Sequence, residues 1–345
     1  MTEILWGSLI TVYPFFSGIA AGAYIVSILP VLFKREELKE FSLLALLIAW
    51  ATLITAPIPL VFHLGSPWRA GNIFIFPQST SPMALFGYLW IIFLIISTTT
   101  IIIYNWFSNT AWFRSTVTAL SVIGIVISIL FSGYVGFIFG STKSKELWYT
   151  PIVPISFVLS AIVSGAALVG LLYILIWRIS RLRIDIQALN SLRKIIWWTL
   201  LLDVVFVSSE FIVKTYHPAA VWRPLSELFF RHLGLSYLGI QLIIGGIIPL
   251  IVLLFKKSIS SPSIMSLMSI LILAGVFAYR WNLIIGGQLV IEASPYVYTT
   301  ISYVVGLLGE GGILWITSIF LVWAFLLSLA LVIFPRWKVE VKLHD

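Results

Sequence analysis

The chain has 345 residues, of which 60% are apolar and only 10% charged, and its formal net charge is +8. Soluble domains carry about 25% charged residues, and charge is costly inside lipid. The composition therefore excludes a soluble globular protein and predicts an all-α, polytopic transmembrane helical bundle. The positive charge is typical of basic cytoplasmic loops and indicates no nucleic-acid partner. Because cysteine is absent, we expect no disulfide, no iron–sulfur cluster within the chain and no thiolate zinc site.

A membrane span needs about 20 mostly apolar residues, and nine windows qualify, within a range of eight to ten. The first window is longer than the apolar core of a signal peptide and follows no basic residue, so we interpret it as a retained span. A tenth segment, Tyr296–Leu308, is short and interrupted, which favours an interfacial or re-entrant piece. The nine windows are Leu5–Phe33, Phe41–Phe62, Met83–Tyr104, Thr116–Phe139, Ile152–Trp177, Ile195–Tyr216, Ser236–Phe255, Ile264–Ile285 and Gly312–Phe334.

Basic residues are distributed unevenly between the two sides of these spans. Fourteen of the 21 Lys and Arg residues follow odd-numbered spans, and seven lie on the opposite side. The positive-inside rule then predicts that the N-terminus is outside and the C-terminus inside. The long connections rich in Gly, Pro, Trp and Tyr fall on the outer side, where we expect function. We predict one membrane domain over 1–345, with four-helix bundles over 5–140 and 152–287 and an interfacial segment plus a last span over 288–345.

Several motifs follow one another in order from Phe15 to Gln288. They are FFSGIAAGAY, HLGSPWRA with SPMALFGYLW, SGYVGFIFG with LWYTPIVPISFVLSAIVSGAAL, GGIIPLIVLL and AGVFAYRWNLIIGGQ. This ordered set resembles the membrane subunits of polysulfide reductases and related oxidoreductases, the NrfD/PsrC-like family. His63 and Ser66 depart from it, since the family usually has Asp and often Arg there. The resemblance implies a quinone-reactive anchor in the plasma membrane that docks a ferredoxin-like iron–sulfur subunit, which serves a molybdopterin catalytic subunit.

A quinone requires an apolar slot, polar groups for its two oxygens and a route for protons. We predict that aromatic residues near the outer helix ends line the slot, although aromatic belts also occur at any membrane interface. His63, whose imidazole exchanges protons near neutrality, and Tyr134 are predicted to share one pocket. The alternative for His63 is a plain interfacial residue that closes a helix. The predicted quinone-binding residues are His63, Tyr134, Tyr13, Trp148, Arg280 and Gln288, and Trp68 is a further candidate for the slot.

Two acidic residues interrupt the sixth span, and an intramembrane carboxylate indicates function by default. Asp203 and Glu210 are seven residues apart, which places them on one helix face, and Lys214 follows Glu210 by four residues. We predict a proton relay from Asp203 through Glu210 to the outer surface, with a packing role for Asp203 as the alternative. Arg280 is predicted either to snorkel or to pair with Glu210, Glu292 or Glu310.

None of the four histidines, His63, His217, His232 and His344, lies in the middle of a span, so neither haem nor another metal is predicted. The chain is therefore expected not to be catalytic alone. It would exchange electrons between a quinone and the iron–sulfur cluster of a partner subunit. The expected quinone is menaquinone or a similar one. A secondary transporter is the rival interpretation, because such proteins also carry mid-membrane charges and broken helices. A purely structural anchor is the third.

Overall fold

The structure is a computed structural model that describes residues 6–145, 147–255, 261–294, 297–300, 312–335 and 337. Among these residues, nine helical segments are long and apolar enough to cross a membrane, which confirms the predicted all-helical, multi-pass fold. The segments are Ser8–Phe33, Glu36–His63, Pro82–Trp106, Phe113–Gly140, Ile152–Ile179, Ile186–Thr215, Leu235–Leu254, Pro262–Leu289 and Ile313–Ile333.

The spans are built from both regular and irregular helices. Short 3₁₀ turns cover Glu36–Leu38 and Pro67–Gly71, and π-helices cover Leu228–His232 and Leu235–Ile247. The α-helices are α1 Ser8–Phe33, α2 Lys39–Thr55, α3 Pro57–His63, α4 Asn72–Ile75, α5 Pro82–Trp106, α6 Phe113–Gly140, α7 Ile152–Ile179, α8 Ile186–Thr215, α9 Ala219–Glu227, α10 Ile248–Leu254, α11 Pro262–Ile284, α12 Gly286–Leu289 and α13 Ile313–Ile333.

Local chemistry explains where several helices begin and end. Lys34 ends α1 in a left-handed conformation at φ 53°, and Gly65 makes the turn after α3 at φ 64°, a conformation that glycine adopts without strain. The side chain of Asp185 accepts hydrogen bonds from the backbone N–H groups of Gln187 at 2.7 Å and Ala188 at 3.2 Å, so it caps α8. This cap starts the sixth span at Ile186, nine residues before the predicted Ile195.

Helix α1 is the central element of the bundle. It is buried along most of its length and packs against α2, α6, α7 and α11. A Cβ on Gly22 would lie 2.6 Å from the carbonyl carbon of Ala161 in α7, so the close approach of these helices requires glycine. The predicted division at 5–140 and 152–287 stays a prediction, and α1 packs against helices of both parts.

The long π-helix Leu235–Ile247 occupies most of the seventh span, where the sequence predicts an ordinary helix. π-Helices are rare and often occur at functional sites. Here the π-helix crosses α11 at very short range, since a Cβ on Gly245 would lie 2.9 Å from the backbone nitrogen of Gly275. The crossing places Gln241 in the protein interior.

The chain after α12 forms a short antiparallel hairpin. Strand β1, Val290–Ser294, pairs with strand β2, Val297–Thr300, with Val290 opposite Thr300. The predicted interfacial segment Tyr296–Leu308 begins here, but apart from β2 it lies outside the described residues. Helix α13 then packs on the side of the bundle against α1 and α2, where the indole nitrogen of Trp323 donates a hydrogen bond to Thr52 Oγ1 at 2.9 Å.

Candidate functional site

The buried face of α8 carries the ionisable residues that the sequence singles out. Leu200, Asp203, Val207, Glu210 and Lys214 are all buried, at spacings of three or four residues. This confirms that Asp203 and Glu210 share one helix face. Only 8% of the surface of Asp203 is exposed, and its Oδ1 has no hydrogen-bond partner among the described residues.

Arg280 in α11 is fully buried, with 0% exposure. Its Nη2 donates a hydrogen bond to Ser160 Oγ at 2.7 Å, and its guanidinium carbon lies 3.6 Å from the centre of the Phe157 ring. In the described part of the chain, Nε and Nη1 have no hydrogen-bond partner. Arg280 and Asp203 are also close enough to influence each other electrostatically.

Two predictions for Arg280 are therefore corrected. It does not snorkel, because it is enclosed by α1, α7 and α11, with Gly18 beside its Nη2. Nor does it pair with Glu210, because that carboxylate pairs with Lys214 instead. Glu310 and the side chain of Glu292 lie outside what the structure describes.

Glu210 and Lys214 form a buried ion pair near the end of α8 that the charge bias predicts to be outward; we call this end of the bundle the outer end. Lys214 Nζ lies 2.6 Å from Glu210 Oε1 and also donates a hydrogen bond to the backbone carbonyl of Leu147 at 3.1 Å. The pair thus fastens α8 to the loop over residues 141–151. Burial lowers the pKa of Lys145 in this loop, because an ammonium group is stabilised by water.

A chain of polar side chains links the π-helix to α11. Ser236 Oγ donates a hydrogen bond to Asn282 Oδ1 at 2.6 Å. Asn282 Nδ2 in turn donates to Gln241 Oε1 at 2.7 Å. Gln241 is therefore held in one orientation, and the part of the chain that the structure describes supplies no acceptor for its amide N–H groups.

Two small cavities lie along this polar surface. The inner cavity adjoins Asp203, the outer cavity adjoins Glu210 and Lys214, and both are lined by Val207, Gln241 and Tyr279. Each has about 30 Å³ of free space, whereas one water needs about 10–15 Å³. Ligand pockets measure about 300–1,000 Å³, so these cavities fit water and not a quinone ring.

A third cavity, the apolar cleft, lies between α1, α7, α11 and α13. It measures about 430 Å³ and is lined by aromatic and aliphatic side chains that include Phe16, Ala274, Phe277 and Phe320. This volume fits a hydrocarbon tail. Because the lining is almost wholly carbon, the cleft offers little to the oxygens of a quinone ring.

Tyr13 and Tyr134 lie near one aromatic stack at the outer end. Tyr13 contacts Phe86 edge-on at 5.3 Å, and Phe86 stacks on Phe131 at 5.2 Å. Tyr134 follows Phe131 by three residues in α6 and is half-buried. The ring contact of Tyr134 is with Phe137 at 5.6 Å, so of the two predicted tyrosines only Tyr13 contacts the stacked pair directly among the described residues.

Trp148 and Gln288 have structural contacts that occupy their polar groups. Trp148 donates its indole N–H to the carbonyl of Leu283 at 2.6 Å and stacks on Trp6 at 5.2 Å. Gln288 accepts a hydrogen bond from the N–H of Trp6 at 2.9 Å and donates to its carbonyl at 2.8 Å. These residues fasten the beginning of α1 to the bundle, and their predicted contact with quinone stays a prediction.

His63 lies at the end of α3, which packs against α1 and α2, whereas Tyr134 lies on α6. Among the described residues, no hydrogen bond or ring contact joins His63 to Tyr134. Trp68, a candidate for the slot, is 79% exposed instead of lining a cavity. Trp68 belongs to the short turn Pro67–Gly71, in which no residue is buried.

A family model described as polysulphide reductase, NrfD, matches residues 1–292. The chain belongs to the NrfD family. The match confirms the resemblance drawn from the ordered motifs, and it ends near Gln288, where those motifs end.

Curated relatives of this NrfD-family protein are found in bacteria and archaea. The C component of the selenate reductase of Mesobacillus selenatarsenatis is 25% identical over 81% of this chain and 73% of the relative. The Hdr-like menaquinol oxidoreductase integral membrane subunit of Archaeoglobus fulgidus is 26% identical, over 83% and 71%. The C component of the polysulfide reductase of Wolinella succinogenes is 26% identical, over 83% and 95%.

Sequence reasoning missed part of the polar network in this NrfD-family member. Gln241 could have been found, because an amide within an apolar span carries the same signal as Asp203. Ser160 could not, because serine in a span usually bonds its own helix. Ser160 does so too, donating to the carbonyl of Ser156 at 2.5 Å, and it accepts from Arg280 only because α11 lies beside α7.

Proposed function

We propose that the chain is the quinone-interacting membrane anchor of a multi-subunit oxidoreductase. The family match over residues 1–292 carries this proposal. The relatives' names support it, since they describe subunits of a menaquinol oxidoreductase, a polysulfide reductase and a selenate reductase. The secondary-transporter interpretation is set aside because these names describe subunits of redox complexes.

The finer assignments are part of the same proposal. The quinone is of the menaquinone type, the membrane is the plasma membrane, and the partners are a ferredoxin-like subunit and a molybdopterin catalytic subunit. Oxidation of one quinol releases two electrons and two protons. Because the chain has no cysteine to hold a cluster, the electrons pass directly to the partner, which we place on the outer loops.

The quinone headgroup is proposed to lie beside Tyr13 and Tyr134 at the outer end, with its hydrocarbon tail in the apolar cleft. A phenol can donate a hydrogen bond to a quinone oxygen or accept one from a quinol. His63 remains a predicted proton acceptor at the same membrane level. When bound, the quinone supplies the two-electron chemistry, and the protein supplies orientation and proton transfer.

The polar network on α8 is proposed to carry protons between the middle of the bundle and the outer end. Asp203 begins this route, and Glu210 with Lys214 ends it beside the carbonyl of Leu147. The support is geometric: both acids are buried on one face, and the water-sized cavities lie between them.

Titration of the purified complex with a menaquinone analogue tests the headgroup site. Losing one hydrogen bond to a ligand costs about 1 kcal/mol, so Tyr13→Phe and Tyr134→Phe should each weaken binding several-fold. Tyr149→Phe is the matched control, because Tyr149 is 53% exposed in the loop over residues 141–151. Wild-type affinity in both variants would remove the tyrosines from the site, and an absence of binding to the wild-type complex would refute the anchor function.

A further inference from the structure

The hydrogen-bond chain from Ser236 through Asn282 ends at Gln241, between the two cavities. Gln241 is buried and lines both. Because its Oε1 accepts from Asn282, its Nε2 is fixed as the donor side, and the described residues give that nitrogen no acceptor. An amide donor in this position points to a ligand that can accept a hydrogen bond within the cavities.

The inner cavity also contains an unsatisfied acceptor. Asp203 is 8% exposed, and its Oδ1 has no partner among the described residues. Buried polar atoms that lack a protein partner are commonly bonded to ordered water. The cavity is polar on this side and roomy enough for two or three water molecules, so water is the occupant that satisfies both Asp203 and Gln241.

The distance between the two acids sets the length of the water chain. Seven residues of helix separate Asp203 from Glu210, a rise of about 10 Å. Each O–H···O hydrogen bond spans about 2.8 Å, so the two acids are too far apart for direct proton transfer. About two or three water molecules would bridge the gap. The two cavities together have room for that number.

We propose that the two cavities hold one continuous chain of water molecules, in which Gln241, held by Asn282, positions the water that joins Asp203 to Glu210. Protonated Asp203 gives a proton to the nearest water, while the water at the far end gives one to Glu210. Asp203 becomes the carboxylate, Glu210 becomes the acid, and the number of waters is unchanged. Use of this chain in turnover rests on the proposed function, whereas the presence of the water does not.

Hydroxyl-radical footprinting by X-ray radiolysis tests this on the full chain in lipid nanodiscs, because radicals formed from buried water label the nearest side chains. Tyr279, 6% exposed, lines both cavities, and Tyr24, 0% exposed, is a buried tyrosine packed against Phe93. We expect Tyr279 to be labelled several-fold faster than Tyr24. Equal slow labelling of the two tyrosines would show dry cavities and overturn the proposal.

Variants of Gln241 test its positioning role. Gln241→Leu should lower the labelling of Tyr279 several-fold, and Gln241→Glu, which keeps a polar group, should retain it. Gln187→Leu is the matched control, because Gln187 is exposed at the start of α8. Unchanged labelling in Gln241→Leu would overturn the role of Gln241.

If that variant fails to fold, the wild-type comparison still decides whether water is present. The labelling experiment uses no quinone, so its result does not depend on the proposed function. If Tyr279 is labelled but the complex does not turn over quinol, the proposed function is refuted and this inference stands.

Discussion

The guanidinium of Arg280 is a charged group that is fully buried in the described bundle. Removing a charge from water costs several kcal/mol even after relaxation. The hydrogen bond to Ser160 and the cation–π contact with Phe157 offset part of this cost. Asp203 adds to them whenever its carboxyl is ionised. Two nitrogens of Arg280 still lack partners among the described residues. A residue kept at this cost without full pairing is typical of a functional site in membranes.

Asp203→Asn tests the first group of the relay. Asparagine preserves size and polarity but cannot exchange the proton, so we expect quinol turnover and proton release to fall about a hundredfold or more, the loss typical of a proton-transfer group. Assembly, measured by the yield of intact complex, should not change. Asp185→Asn is the matched control, because asparagine also caps helices well. Full turnover with unchanged proton release in Asp203→Asn would refute the relay role.

Lys214→Met tests the buried ion pair. It leaves Glu210 as an uncompensated charge, and breaking a buried pair costs about 3–5 kcal/mol, so the thermal midpoint in detergent should fall clearly. Glu210→Met combined with Lys214→Met should recover most of that loss, because no charge is left unpaired. Lys143 is exposed in the loop over residues 141–151, so Lys143→Met should change the thermal midpoint little. A double variant as unstable as Lys214→Met would show that the pair acts through packing.

Residue-level prediction from sequence succeeded where one helix determines the geometry. The shared face of Asp203 and Glu210 follows from helical periodicity alone. The ion pair between Glu210 and Lys214 fits their four-residue spacing, but it was not itself predicted, since Glu210 was a predicted partner of Arg280. Sequence reasoning could not assign Trp148 or Gln288, because their partners, Leu283 and Trp6, are set by tertiary packing. An aromatic or amide residue near a helix end has the same sequence signal whether it binds a ligand or fastens the chain.

At the scale of elements, apolar composition and length predicted the nine spans found in the described residues. Helix α8 begins earlier than its apolar window because Asp185 caps a polar first turn. The π-helix Leu235–Ile247, which crosses α11 where Gly245 meets Gly275, was not predicted. Hydrophobicity indicates that a segment lies within the membrane, but it does not distinguish a π-helix from an α-helix.

The apolar cleft gives a prediction for α11. Ala274→Phe should fill part of the cleft and displace part of the quinone tail. Because each buried CH₂ of the tail contributes about 0.8 kcal/mol, affinity for a long-tailed quinone should fall several-fold. Affinity for a tail-less analogue should stay unchanged. Leu267→Phe is the control, because Leu267 is 53% exposed on the same helix. Equal losses for both ligands would show a general distortion, and no loss for either would remove the tail from the cleft.

At the scale of the whole molecule, composition and ordered motifs were enough to predict an all-helical membrane protein and its family. The quinone site was harder to place from sequence, because it depends on which helix ends converge. His63 and Tyr134 are both near outer helix ends, yet α3 and α6 pack against different neighbours. Orientation rests on the unequal distribution of Lys and Arg and stays a prediction.

Electron exchange between quinone and partner is the central claim, and it can be measured directly. The complex is purified anaerobically, a short-chain menaquinol is added, and the partner's iron–sulfur signal is followed by electron paramagnetic resonance. We predict that this signal and the quinol equilibrate within one turnover time, and that Tyr134→Phe slows the exchange at low quinol concentration. A complex that contains this protein, binds its partners and still shows no exchange in either direction would contradict the claim.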